Sequence, residues 1–232
     1  MTPSRSGSGR VECHTREDLG SALRLMVITD RRQSRGRTDL DVCRQALRGG
    51  ATAIQIRAKE ATDRELVATA NEVVSMAARA RAVVVVNDRP DVALLVGAWA
   101  CHLGPEDLDL PAARRVAGAA MILGASAGTP GEARAAERAG ADYLGVGPIF
   151  ATGTKGDAGP PLGLAGLTGM VAATSLPVVA VGGISAETAG ACVAGGACGV
   201  AVARAAAGAP SIGPAVRALR RIVDDALQRL AG

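Results

Sequence analysis

Aromatic side chains are almost missing: Trp99, Tyr143 and Phe150 are the whole set in 232 residues. Single-stranded nucleic acid is bound largely by stacking bases on aromatic rings, so the composition argues against that partner. Histidine is equally scarce, with His14 and His102 alone. The five cysteines, Cys13, Cys43, Cys101, Cys192 and Cys198, are odd in number, and none has zinc-ligand spacing. Most lie in apolar runs, where cysteine acts as a small hydrophobe, and a reducing, cytoplasmic setting is expected. The opening MTPSRSGSGR lacks the apolar stretch of a secretory signal. No apolar run is long and unbroken enough to span a bilayer, so no membrane partner is expected.

Charge is unevenly placed. Residues 1–37 hold eight arginines against four acids, an excess that equals the net +4 of the whole chain. The basic character therefore belongs to the N-terminal segment, whereas nucleic-acid recognition needs a basic stripe on the folded body. Residues 1–20, rich in Ser, Gly and Arg, are expected to form a flexible arm, and residues 21–232 the folded domain.

What is abundant is small and aliphatic. The apolar share is 48%, with 30 glycines, enough for one large core. Short β-branched runs alternate with longer amphipathic stretches. Strands are predicted at 24–29, 53–57, 82–87, 99–103, 121–125, 143–146, 178–181 and 199–203. Helices are predicted to begin near Thr38, Thr62, Arg89, Asp109, Pro130, Leu162, Ser185 and Ser211. Thr38, Thr62, Asp109, Thr129 and Ser185 stand where N-caps are wanted. The phrases RGGATAIQI, RAGADYLGV and AGGACGVAV repeat one design. Glycine ends a helix, and a small residue then lets the chain enter a strand. Eight short-linked units of this kind predict a single α/β domain, a (βα)8 barrel of eight parallel strands. One connection, Gly147 to Pro161, is long enough to suggest a functional loop.

Active sites of such barrels lie at the C-terminal ends of the strands. There the second strand delivers Gln55, Arg57 and Lys59, an amide and two cations suited to an oxyanion. The third delivers Asn87 and Asp88, with two readings for the aspartate: cap of the next helix, or oxygen ligand for Mg2+. The fourth delivers His102 and Asp107. Paired carboxylates on neighbouring strands repel unless a cation lies between them. His102 reads more readily as a packed barrel residue than as a ligand. The fifth offers Ser126, as ligand donor or turn residue. The sixth opens Thr152-Gly153-Thr154-Lys155, with hydroxyls, amides and an ammonium for an anion. Gly182-Gly183 and Ala203-Arg204 end the last two strands, where phosphate is commonly held.

In order, Q-x-R-x-K, V-V-N-D, H-x-G-x-x-D, G-x-S, G-P-I-F-x-T-x-T-K and V-x-x-G-G-I run from about residue 25 to 205. This set resembles the thiamine phosphate synthase family. The resemblance implies joining of an aminopyrimidine methyl pyrophosphate to a thiazole phosphate, giving thiamine phosphate and pyrophosphate. It implies that Gln55, Arg57, Lys59, Asn87, Ser126 and Lys155 hold the pyrimidine pyrophosphate. Arg57, Lys59, Ser126 and Lys155 are the catalytic candidates among them. Asp88 and Asp107 would bind Mg2+. Thr152, Gly153, Thr154 and Gly183 would hold the thiazole phosphate, with Ala203 and Arg204 beside it.

Pro105, Gly128 and Arg204 depart from the usual family residues, which are glutamine, often histidine, and serine. A related thiazole tautomerase depends on a histidine in the segment where this chain has Gly128. A non-catalytic phosphate-binding barrel is the rival of another class.

Overall fold

A computed structural model of the chain describes residues 16–153 and 159–231. Eight strands close into an all-parallel barrel in sequence order: β1 (Leu25–Ile28), β2 (Ala53–Ile56), β3 (Val83–Asn87), β4 (Ala100–Leu103), β5 (Ile122–Ala127), β6 (Tyr143–Val146), β7 (Val178–Val181) and β8 (Gly199–Val202). All eight predicted strands are present, with ends shifted by up to two residues.

Alternation along the strands sorts their side chains into two cores. Met26, Ala53, Val83, Val85, Ala100, Tyr143, Val179 and Ala201 fill the barrel interior. Val27, Ile54, Ile56, Val84, Val86, Leu103 and Val146 face outward beneath the helices. The small interior residues follow from closure, which leaves little room at the axis. The single tyrosine fits only because glycine stands beside it. A Cβ built on Gly124 would lie 2.1 Å from the Tyr143 ring. Gly145 likewise makes room for His102, whose ring would be 2.8 Å from an added Cβ. Gly124→Ala is therefore expected to destabilise the fold towards the upper end of the roughly 1–3 kcal/mol typical of overpacking. Gly128→Ala, whose Cβ would meet only Glu132 Oε2 at 3.6 Å, is the matched control. Thermal unfolding of the two variants separates them, with a clearly lower midpoint expected for Gly124→Ala only.

The helices are α1 (Arg16–Ala22), α2 (Asp39–Gly49), α3 (Asp63–Ala80), α4 (Pro90–Val96), α5 (Leu110–Ala117), α6 (Pro130–Arg138), α7 (Gly163–Ala172), α8 (Ala186–Ala194), α9 (Arg204–Ala207) and α10 (Ile212–Ala231). Thr38, Thr62, Asp109 and Thr129 cap α2, α3, α5 and α6 as predicted, each accepting from a backbone N–H within the first turn. Helix α10 packs against both α2 and α8 and so completes the outer ring. Its approach to α2 requires Gly49, where a Cβ would fall 2.7 Å from Val216 Cβ.

Helix α1 spans the boundary drawn at residue 20, where order near Arg16–Leu23 is expected, and the Leu23 N–H closes its last turn on Leu19 O at 3.0 Å. One feature differs from the sequence reading: the short helix α9 intervenes before the closing helix. Residues 1–15 of the expected arm lie outside the described residues.

Candidate active site

Strand register sets the height of each rim residue. Ile28 pairs with Gln55 and Gln55 with Val85. Two residues further along, Asp30, Arg57 and Asn87 therefore leave adjacent strands at one level. Asn87 is paired with His102, so Asp88 emerges next to the start of the β4–α5 loop that carries Asp107.

This side of the mouth is densely charged. Arg57 Nη1 lies 3.3 Å from Asp30 Oδ2, and Lys59 Nζ lies 3.9 Å from Asp88 Oδ2. Asn87 Nδ2 donates to Asp88 Oδ1, and the Gly104 N–H donates to Asp107 Oδ2 at 2.6 Å. Burial first, then the carboxylate of Asp107 beside it, pushes Asp88 up to about 6, against the opposing pull of Lys59 and Arg57. The predicted acidic pair is thus assembled.

Asp88 is not the cap of the following helix. Arg89 occupies the N-cap position of α4, with no side-chain cap bond. Asp88 instead holds φ +66°, an uncommon backbone conformation that aspartate tolerates better than most residues. Its N–H donates to His102 O at 2.9 Å, extending the β3–β4 ladder by one step. This left-handed residue carries the carboxylate that lies beside Asp107, and such local strain is often found at functional sites.

Such a site fits Mg2+, which takes one or two carboxylates and completes its shell with water and phosphate oxygens. Metal binding requires both carboxylates ionised. Apparent Mg2+ affinity should therefore fall as pH drops below about 6, by up to roughly tenfold per pH unit. The sign for stability is opposite. With the folded-state pKa raised above its ordinary value of 3.8, metal-free protein keeps this contribution at low pH and loses it as pH rises through about 6. Titrating Mg2+ by calorimetry at pH 5.5 and 7.5, with Asp88→Asn alongside, checks the first trend, and thermal unfolding of the metal-free proteins at the same pH values checks the second. The variant should bind weakly and lose this pH dependence.

The floor of the mouth is polar in three places. Gln55 is buried, and its amide donates to Met26 Sδ at 3.4 Å. His102 Nδ1 lies 3.1 Å from Tyr143 Oη, and its Nε2 lies 3.1 Å from Ser126 Oγ. Burial raises the Tyr143 phenol well above its usual range, so it stays protonated. In the tautomer where the phenol donates to Nδ1, the imidazole proton sits on Nε2 and Ser126 Oγ accepts it. His102 is a packed residue, as the sequence suggested, but it also orients Ser126. No sequence pattern announced this, because the partners stand on three different strands.

The other side of the mouth is built mainly of backbone. Val181 pairs with Ala201, which brings Gly183 and Ala203 to one level on adjacent strands. The segment after β6 is laid across β7: the Ile149 N–H donates to Val181 O at 2.9 Å and the Phe150 N–H to Gly182 O at 3.1 Å. Gly182 and Gly183 have φ of +93° and +65°, and a Cβ on Gly183 would lie 2.7 Å from Phe150 Cβ. These glycines are thus required by the crossing chain as well as by their backbone angles. Thr152 and Gly153 follow on the same segment. Thr154 and Lys155 lie outside the described residues. Arg204 is exposed at the start of α9.

The sequence pattern described as "Thiamine monophosphate synthase" matches residues 25–206. The chain belongs to the thiamine monophosphate synthase family. Within that family it is similar to the thiamine-phosphate synthase of Moorella thermoacetica, with 50% identity covering 86% of this chain and 95% of that one. The Chloroflexus aurantiacus thiamine-phosphate synthase is 46% identical over 86% of this chain and 92% of its own. Among solved structures, thiamine phosphate pyrophosphorylase from Pyrococcus furiosus superposes with a TM-score of 0.84 at 40% identity, covering 90% of this chain and 99% of that one. Among the described residues, no helix is long and apolar enough to cross a membrane.

Proposed function

We propose that this chain is a transferase of thiamine biosynthesis. It joins 4-amino-2-methyl-5-(diphosphooxymethyl)pyrimidine to 4-methyl-5-(2-phosphooxyethyl)thiazole, releasing pyrophosphate and thiamine phosphate. The observation that carries this reading is one mouth with two unlike oxyanion stations. Cations and paired carboxylates stand on the β2–β4 side, and backbone glycines stand on the β7–β8 side. The names of the relatives point to the same activity.

In this reading Arg57, Lys59 and Lys155 face the pyrophosphate, and Gln55 and Asn87 orient the pyrimidine end. Asp88 and Asp107 would hold Mg2+, which would neutralise charge on the departing group. Thr152, Gly153, Thr154, Gly183 and the Ala203–Arg204 segment hold the thiazole phosphate. Reaction is dissociative. The bond from the pyrimidine methylene to the pyrophosphate oxygen breaks, and its electron pair leaves with pyrophosphate. The amino group spreads the resulting positive charge through the ring, and the thiazole nitrogen then attacks the methylene. No step needs a strong base. The protein supplies orientation and a fixed field, with Ser126 donating to the leaving group.

Gly128, where a tautomerase would want a base, cannot move a proton. This favours the transfer reaction over thiazole isomerisation. The test is to mix both substrates with Mg2+ and follow the products by chromatography. Thiamine phosphate and pyrophosphate should appear in equal amounts, and neither should form when one substrate is omitted. Binding of both phosphate esters with no turnover would indicate a regulatory barrel instead.

A further inference from the structure

We propose that Asp30 is a positioning residue that aims Arg57 at the pyrophosphate; the proposal rests on the function given above and adds a residue that the sequence motifs do not include. Asp30 is the second residue after β1 and is 4% exposed. A carboxylate so deeply buried is costly unless its oxygens are used. Both are. Oδ1 accepts the Arg32 N–H at 2.9 Å, which fixes the turn leaving β1. Oδ2 accepts from Arg57 Nη1 at 3.3 Å.

The backbone of Arg57 is held from the same strand end. Its N–H donates to Thr29 Oγ1 at 3.0 Å, and Thr29 is fully buried. The main chain and the guanidinium of Arg57 are thus both gripped by consecutive residues, Thr29 and Asp30. This grip leaves the rest of the guanidinium's donor fork for a ligand. Arg57 leaves β2 at the level of Asn87, the residue before Asp88, so the held guanidinium belongs to the same stretch of rim as the acidic pair, where a metal-bound pyrophosphate would lie. An arginine free to swing would give up part of its binding strength to the loss of rotamer freedom. Asp30 removes that freedom before the substrate arrives.

Asp30→Asn is the isosteric test. An amide offers one acceptor oxygen where the carboxylate offers two, so the turn at Arg32 and the grip on Arg57 cannot both be kept. Binding of inorganic pyrophosphate in the presence of Mg2+ is measured by calorimetry for the unaltered protein, Asp30→Asn, Arg57→Ala and the double variant. Loss of an outer partner that orients a site group commonly weakens a site by roughly ten- to a hundredfold, and a loss in that range is expected for Asp30→Asn. In the Arg57→Ala background the same change should cost less than about twofold, because the group it positions is gone. With the complete reaction, KM for the thiazole phosphate should stay unchanged.

Equal losses in both backgrounds, or a matching rise in the thiazole KM, would overturn the proposal and make Asp30 a general structural residue. If Asp30→Asn fails to fold, Asp30→Glu replaces it. That variant keeps both acceptors but moves them by one methylene, and it should show the same dependence on Arg57. Because pyrophosphate binding is read directly, the result stands apart from turnover. Absence of thiamine phosphate would count against the function, whereas absence of Asp30–Arg57 coupling would count against this proposal alone.

Discussion

Lys155→Ala is expected to fold, to bind the pyrimidine pyrophosphate nearly as well as the unaltered protein, and to react roughly a hundred- to a thousandfold more slowly in a single turnover. Lys155 closes the run Thr152-Gly153-Thr154-Lys155, whose first two residues follow a segment tied to β7 through Ile149 and Phe150. Its proposed partner is the departing pyrophosphate. Negative charge on the bridging oxygen grows as the carbon–oxygen bond breaks. An ammonium facing that oxygen is worth more in the transition state than in the ground state, so its removal lowers rate more than affinity. By analogy with the loss of one oxyanion-hole donor, the cost is about 2.7–4 kcal/mol. Lys155→Arg should recover part of the rate, since charge is kept while donor geometry changes. Rapid-quench single turnovers with saturating thiazole phosphate decide the matter. Weakened binding with an intact rate would make Lys155 a tether and pass charge neutralisation to Arg57, Lys59 and the metal.

Asp88→Ala and Asp107→Ala should each raise the Mg2+ concentration needed for half-maximal activity by at least roughly tenfold, with part of the loss recovered at high metal. The two substitutions should not be additive, because either one alone breaks the shared ligand pair. The expectation for Asp88 is sharpened by its backbone. At φ +66°, alanine is less at ease than aspartate, so Asp88→Ala mixes a ligand loss with added strain. Asp88→Gly separates them: it relieves the backbone yet removes the same carboxylate. It should be at least as stable as Asp88→Ala and equally deficient in Mg2+ response. Activity of Asp88→Gly with unchanged Mg2+ dependence would show that the carboxylate serves the turn and not a metal.

The barrel was legible because local signals agree in every unit. Four side-chain caps, the glycines that end α2 and α8 and the β-branched runs all place boundaries where the fold has them. The charged rim was legible for a related reason. Val83 to Val86 give way abruptly to Asn87 and Asp88, so the sequence shows where the core stops. What was hidden depends on closure and register. Asp30 and Arg57 are 27 residues apart, and only the β1–β2 pairing puts them at one height. His102, Ser126 and Tyr143 meet because three neighbouring strands align, with glycines opposite them. The left-handed turn at Asp88 was invisible for another reason: aspartate is common in caps, and the cap reading was the simpler one. The sequence suggests a phosphate station at Gly182-Gly183, but the crossing segment Pro148–Ala151 is a sufficient cause for the two glycines. Their role towards phosphate rests on position, not on residue type.

The arrangement of the two stations is tested most directly by a crystal structure of the protein with Mg2+, pyrophosphate and thiamine phosphate. The expected result is Mg2+ with oxygens of both Asp88 and Asp107 at about 2.0–2.1 Å. Pyrophosphate is expected on that ion and on Arg57, and the phosphate of thiamine phosphate beside Gly183 and Ala203. Pyrophosphate bound at Gly183 and Ala203, with the acidic pair free of metal, would contradict this arrangement.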